Sequence, residues 1–130
     1  MAKNWVYTTK IEDMTPAQLK ERIRQGYEYK TKKLVIIPYL GESEVVTYDC
    51  PEVIARCPAT GIVDIYRLVI DFVPGKYIPE LKSLKLYLLD FVDVPISHEH
   101  LCSKIYREFK RQVKPKKLYI RLLTNVRGGI

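Results

Sequence analysis

Apolar residues along this chain recur at two spacings. Between Asp64 and Val73, Tyr66, Leu68, Ile70 and Phe72 take every second position and alternate with Arg67, Val69 and Asp71. That is the period of a strand with one buried face, and Pro74-Gly75 ends it. Beyond Pro79 the period lengthens: Leu81, Leu84, Leu88, Phe91 and Val92 fall at helical spacing and predict a helix over 80–92, with Lys82, Ser83 and Lys85 off its stripe. A second helix, capped by Ser97, repeats Leu101, Ile105, Phe109 and Val113 every four residues and stops at Pro115. It is expected to point Lys104, Arg107, Lys110, Arg111 and Lys114 away from that stripe. Near the start, Thr15-Pro16-Ala17-Gln18 supplies the cap, the first-turn proline and the third-position Gln of a helix over 16–25, with Gly26 as its stop. The runs 33–40, 44–48 and 118–123 are short and rich in β-branched residues, and they read as strands. The order α, β, β, β, α, α, β predicts an α+β fold, an antiparallel sheet with two successive helices layered on one face.

With 130 residues, 47% hydrophobic and 28% charged, the chain fits a single domain over 1–130 and excludes disorder and low-complexity repeats. Its longest apolar stretch, 34–40, is broken by Pro38, so no membrane span and no membrane partner are expected. Met1-Ala2-Lys3-Asn4-Trp5 leads into polar sequence without the apolar centre of a signal peptide, which predicts a soluble, cytoplasmic protein. Cys50, Cys57 and Cys102 make an odd number without zinc-type spacing, so neither a structural disulfide nor a structural zinc is expected. His98, Glu99 and His100 are adjacent and would leave a helix on different sides, so no bound metal is expected either. Lys and Arg number 22 against 15 Asp and Glu, a net charge of +7 that would attract a polyanion, although solubility alone also accounts for it. The basic residues of the second helix and Lys114-Pro115-Lys116-Lys117 concentrate that charge.

Candidate chemistry lies in turns and helix starts. Cys57 sits in Arg56-Cys57-Pro58-Ala59-Thr60-Gly61, a turn-forming segment where loops display reactive groups. A lone cysteine there is equally a small packing hydrophobe. Asp64, which opens the alternating strand, is by itself equally a turn or cap residue, and Glu80 and Glu99 stand where a helix start favours a carboxylate without any function. The combination is more specific. Cys50-Pro51-Glu52, Cys57-Pro58-Ala59-Thr60-Gly61-Ile62-Val63-Asp64, Glu80-Leu81-Lys82-Ser83-Leu84-Lys85-Leu86-Tyr87, His98-Glu99 and Arg127-Gly128-Gly129 together resemble the 7-cyano-7-deazaguanine reductase family. The resemblance covers 45–130 and leaves 1–44 as an N-terminal extension with a short helix and a strand.

That resemblance implies the tunnelling fold, whose subunits join through their sheets into barrels with sites between neighbouring chains, and hence a homo-oligomer, a pentamer or decamer. It implies Cys57 as the nucleophile that attacks the nitrile carbon of 7-cyano-7-deazaguanine to form a covalent thioimidate, and Asp64 as proton donor to the nitrogen. Glu99 would hold the guanine-like edge, His98 would stand beside the base, and Glu80 and Ser83 would belong to the substrate site. The groups suit the chemistry, since a thiolate must attack the nitrile and an acid must protonate the nitrogen.

In the reductases two hydrides from NADPH follow, and Lys82, Lys85 and Arg127-Gly128-Gly129 would meet cofactor phosphates. Departures from that pattern are Ile62-Val63-Asp64-Ile65 in place of Gln-Pro-Asp-Phe, Val92-Asp93 in place of Arg-Asn, and Ser97 in place of Phe. The reductases also continue through another strand after Arg-Gly-Gly. These departures make the chain more similar to the short archaeal branch, the reductase-like archaeosine synthases, which use ammonia in place of hydride on the base within tRNA. The expectation is therefore an archaeosine synthase-like amidinotransferase that converts the nitrile to a formamidine. It would use ammonium and no cofactor, with Lys104, Arg107, Lys110, Arg111, Lys114, Lys116 and Lys117 as the tRNA surface. An NADPH-dependent reductase of the free base is the alternative, and a non-catalytic RNA-binding module is the third reading. The run 33–40 is expected to pair into the sheet where the reductases carry their last strand.

Overall fold

The computed structural model describes residues 5–7 and 11–126. Alternation dictates the main sheet: β2 (Val46–Arg56), β3 (Val63–Val73) and β5 (Lys117–Thr124) pair antiparallel in the order β2-β3-β5. The inward residues Tyr66, Leu68, Ile70 and Phe72 are buried against two helices, α2 (Leu81–Leu89) and α3 (His98–Val113). Phe72 and Phe109 meet edge to face with ring centres 5.2 Å apart, which joins the sheet to α3. The α+β architecture with helices on one face is the one the pattern predicts.

Several boundaries differ, each for a physical reason. β2 runs through Asp49-Cys50-Pro51, where a strand end was expected, because a register shift between Cys50 and Val53 accommodates the proline on an edge strand. α2 is shorter than 80–92: Glu80 is its cap, and Phe91 and Val94 stay buried in the turns that follow. α1 (Pro16–Tyr27) has the predicted capping box, the Gln18 amide donating to Thr15 Oγ1 at 3.1 Å and the Thr15 amide to Gln18 Oε1 at 2.9 Å. It passes through Gly26 instead of stopping there. Gly26 is buried, and a Cβ on it would stand 2.1 Å from the Pro95 carbonyl oxygen, so the glycine serves close approach.

The run 33–40 pairs, but outside the main sheet. Only β1 (Ile36–Pro38) is a strand, and it joins β4 (Tyr77–Pro79) in a separate two-stranded sheet with Ile37 opposite Ile78. Leu34 turns into the core, and the Val35 amide donates to Ser83 Oγ at 2.9 Å, so the segment is docked on the start of α2.

Lys104 is also corrected: it is buried, not on the outer face of α3. Three residues after Leu101 and one before Ile105, it falls on the core side. There its Nζ pairs with Glu108 at 3.4 Å and donates to the Tyr27 carbonyl at 2.7 Å. Glu108 accepts in turn from Tyr87 at 2.7 Å and Thr31 at 3.2 Å. Among the described residues no helix is long and apolar enough to cross a membrane.

Candidate active site

β2 and β3 are joined by a tight turn built on Cys57. The Cys57 amide donates to the Ile62 carbonyl and the Gly61 amide to the Cys57 carbonyl, both at 2.9 Å. Gly61 has φ of +74°, a left-handed conformation that glycine adopts without strain. The Thr60 amide points at the Cys57 sulfur at 3.5 Å and orients it, while buried Pro58 and Ala59 anchor the turn below. Two arginines brace it. Arg56 donates through Nη1 to the Gly61 carbonyl at 3.0 Å and pairs through Nη2 with Asp93 at 3.3 Å. Arg22 reaches from α1 to the Pro58 carbonyl at 3.5 Å and also donates to the Val6 carbonyl. The Tyr7 ring lies against Gly61, and burial raises its phenol above the ordinary tyrosine range, with Arg56 and Arg22 opposing.

Asp64 stands on the second arm. Register places it opposite Ala55, on the inward face two residues before Tyr66, and it is buried. The backbone of Arg56 then draws in the third component: its amide donates to the Val94 carbonyl and its carbonyl accepts from the Ile96 amide, each at 3.0 Å. These bonds bring Ser97 and the start of α3 to the same end of the sheet. His98 bends over β3, its Nδ1 2.7 Å from the Tyr66 hydroxyl, with the two rings edge to face at 5.5 Å. Glu99 is exposed and lines, with His98, a groove of about 660 Å³ between α3 and β5. Burial pushes the thiol of Cys102, in the same groove, above its ordinary range.

One end of the sheet thus gathers Cys57, Asp64, His98 and Glu99. Glu80 and Ser83 are placed elsewhere, at the start of α2. The Glu80 carboxylate accepts from the Lys82 and Ser83 amides at 2.8 Å each and so caps the helix, and Ser83 Oγ, in the first turn, donates to the Glu80 carbonyl at 2.7 Å. Arg107, Lys110, Arg111, Lys114, Lys116 and Lys117 are exposed, whereas Lys104 is not. Arg107 also lies over the Tyr27 ring at 4.4 Å. Arg127-Gly128-Gly129 lies outside the described residues. Among the described residues no group of His, Cys, Asp or Glu could hold a metal ion. Sequence reasoning missed Tyr66, Arg56 and Tyr7. Tyr66 read as one more core position of an alternating strand, and its hydroxyl among aliphatic neighbours was the available signal.

The family profile described as QueF-like protein matches residues 64–130. The chain is 36% identical over 102 residues to the NADPH-dependent 7-cyano-7-deazaguanine reductase of Thermotoga petrophila, across 78% of this chain and 74% of that protein. It is 42% identical over 93 residues to the protein of the same name from Nitrobacter winogradskyi, across 72% of this chain and 59% of that one. The Frankia casuarinae protein of that name is 38% identical over 99 residues, across 76% of this chain and 79% of its own length. The expectation that no cofactor is used is corrected by these relatives, whose names state dependence on NADPH. With the motif-bearing hairpin, the helix start and more than half of the sequence matched, the chain belongs to the QueF-like protein family.

Proposed function

We propose that this protein captures the nitrile carbon of 7-cyano-7-deazaguanine on Cys57 and reduces it with NADPH. The observation that carries the reading is the placement of a loop cysteine and a buried aspartate at one turn between two strands, in a chain similar to proteins named as reductases of this substrate. Attack of the Cys57 thiolate on the nitrile carbon forms an S–C bond, breaks one C–N π bond and leaves a negative nitrogen. Asp64 gives that nitrogen its proton, and Glu99 and His98 hold the heterocycle from α3. NADPH, when bound, would supply the two hydrides that, with one further proton from solvent, carry the carbon to an aminomethyl group, the S–C bond breaking so that Cys57 returns as thiolate. Lys82 and Lys85 fit its phosphates: both are exposed on α2, and Lys85 rims a groove of about 400 Å³ between α2 and the bulged part of β2.

One observation favours a second reading, in which ammonia adds to the thioimidate of a base held in tRNA and forms an amidine. Arg107, Lys110, Arg111, Lys114, Lys116 and Lys117 run exposed from α3 into β5, a phosphate-binding surface that a free base does not need. A single series of reactions separates the two. Intact mass of the parent and of Cys57→Ala is measured after mixing with the free base, followed by addition of NADPH. Nucleosides are analysed in parallel from tRNA carrying the nitrile base, incubated with ammonium. An adduct on the parent alone that NADPH converts to the amine supports reduction. Formamidine in the tRNA, with no amine from NADPH, moves the assignment to amidine formation, and no adduct under either condition overturns both.

A further inference from the structure

The groove end of the site contains a group that the reaction steps above leave unexplained, the phenol of Tyr66. Its side chain is wholly buried (0% exposed) on the inward face of β3, between Asp64 and Leu68. A hydroxyl placed there needs a partner, and His98 Nδ1 is one, at 2.7 Å. We propose that Tyr66 is a positioning residue that fixes His98 as an Nε2–H donor toward an acceptor atom of the bound base. This rests on the reading that the base lies between Cys57 and the start of α3.

A phenol O–H is a stronger acid than an imidazole N–H, so in a neutral pair the hydroxyl donates and Nδ1 accepts. The ring's own proton then sits on Nε2, and the edge-to-face contact with Tyr66 at 5.5 Å holds the ring plane. His98 is exposed and lines the groove together with Glu99, so Nε2 faces the open side. Two consecutive residues thereby offer complementary groups, a donor on His98 and an acceptor on Glu99. A guanine-type edge presents the matching pair, a carbonyl oxygen beside ring and amino N–H groups. A base with an amino group in place of that carbonyl would set donor against donor at His98 and be rejected.

The first measurement is long-range nitrogen–proton NMR of the protein labelled in its two histidines, with His98→Gln used to assign the signals. His98 is expected to show a proton-free Nδ1 and a protonated Nε2, and the reverse pattern overturns the proposal. The second is affinity for the free base on a Cys57→Ala background, where no covalent bond forms. Tyr66→Phe is expected to weaken binding roughly 3- to 10-fold, the worth of one oriented neutral hydrogen bond, and to mix the two His98 tautomers. Unchanged affinity and an unchanged tautomer overturn it. If Tyr66→Phe fails to fold, the tautomer in the parent still decides. If the parent forms no adduct while the tautomer is as expected, the catalytic reading fails and the Tyr66 pairing stands.

Discussion

Asp64 occupies a position that a small polar residue seldom takes, on the inward face of a strand beside an otherwise apolar stripe. Asp64→Asn keeps the volume and removes the acid, so it should leave the fold intact and slow adduct formation at Cys57 by about 10²- to 10⁴-fold, read by rapid quench and intact mass. A rate within a few-fold of the parent would move the proton source elsewhere. Cys57, Asp64 and the His98-Glu99 pair were legible as candidates because residue type and spacing survive translation from sequence to fold. Lys104 was not. A four-residue apolar repeat marks the centre of a helical stripe but leaves its flanks undecided, and Lys104 went inward because Glu108, one turn later, and the Tyr27 carbonyl receive its charge.

Gly26 makes the corresponding point for elements. In the sequence it reads as a helix stop, since glycine commonly follows the last turn. In the fold it is the place where α1 touches the segment that carries α3 to the active site, through the Pro95 carbonyl. Gly26→Ala would gain roughly 1 kcal/mol of helix propensity. A Cβ placed 2.1 Å from that oxygen forces the two elements apart, with a cost of about 1–3 kcal/mol, so strain should win. Calorimetry should show a lower Tm, and a higher Tm would mean that the contact yields freely. The same segment bonds the Arg56 backbone, so the variant should also reduce adduct formation by displacing His98 and Glu99. Among strands, β3 was legible nearly residue for residue because alternation is a local signal. β1 was legible only as part of the longer run 33–40, and β4 was not, since three residues carry too little pattern and pair here beside the docking of Val35 on Ser83.

Over the whole molecule, a polar network around Glu108 joins the contacts that hold the extension before β2 to the rest of the fold: Thr31 and Tyr87 on Glu108, with Lys104 on Glu108 and on the Tyr27 carbonyl. Burial, with Glu108 adding to it, raises the Tyr87 phenol far above its ordinary value of 10.0. A folded-state pKa above the unfolded one contributes stability that is complete below pH 10.0 and is lost as pH climbs past it. Lys104, pulled below its ordinary range by burial, works in the opposite direction as pH approaches 10.5, so the phenol is isolated by substitution. Denaturant titrations at rising alkaline pH should give a shallower loss of stability for Tyr87→Phe than for the parent, and parallel curves would remove Tyr87 from the account. The sequence by itself determined the fold class, the alternating strand, the capped helices and which side chains stand as candidates for the proposed chemistry. These follow from local periodicity and from the chemistry of side chains, which any conformation retains. Tertiary structure alone decided that 33–40 leaves the main sheet, that Lys104 is a core residue, that Glu80 caps α2 with Ser83 in its first turn, and that Tyr66 reaches His98. Each depends on which surfaces meet across long sequence separations, and burial and partner geometry are properties of the packed chain rather than of any stretch of it.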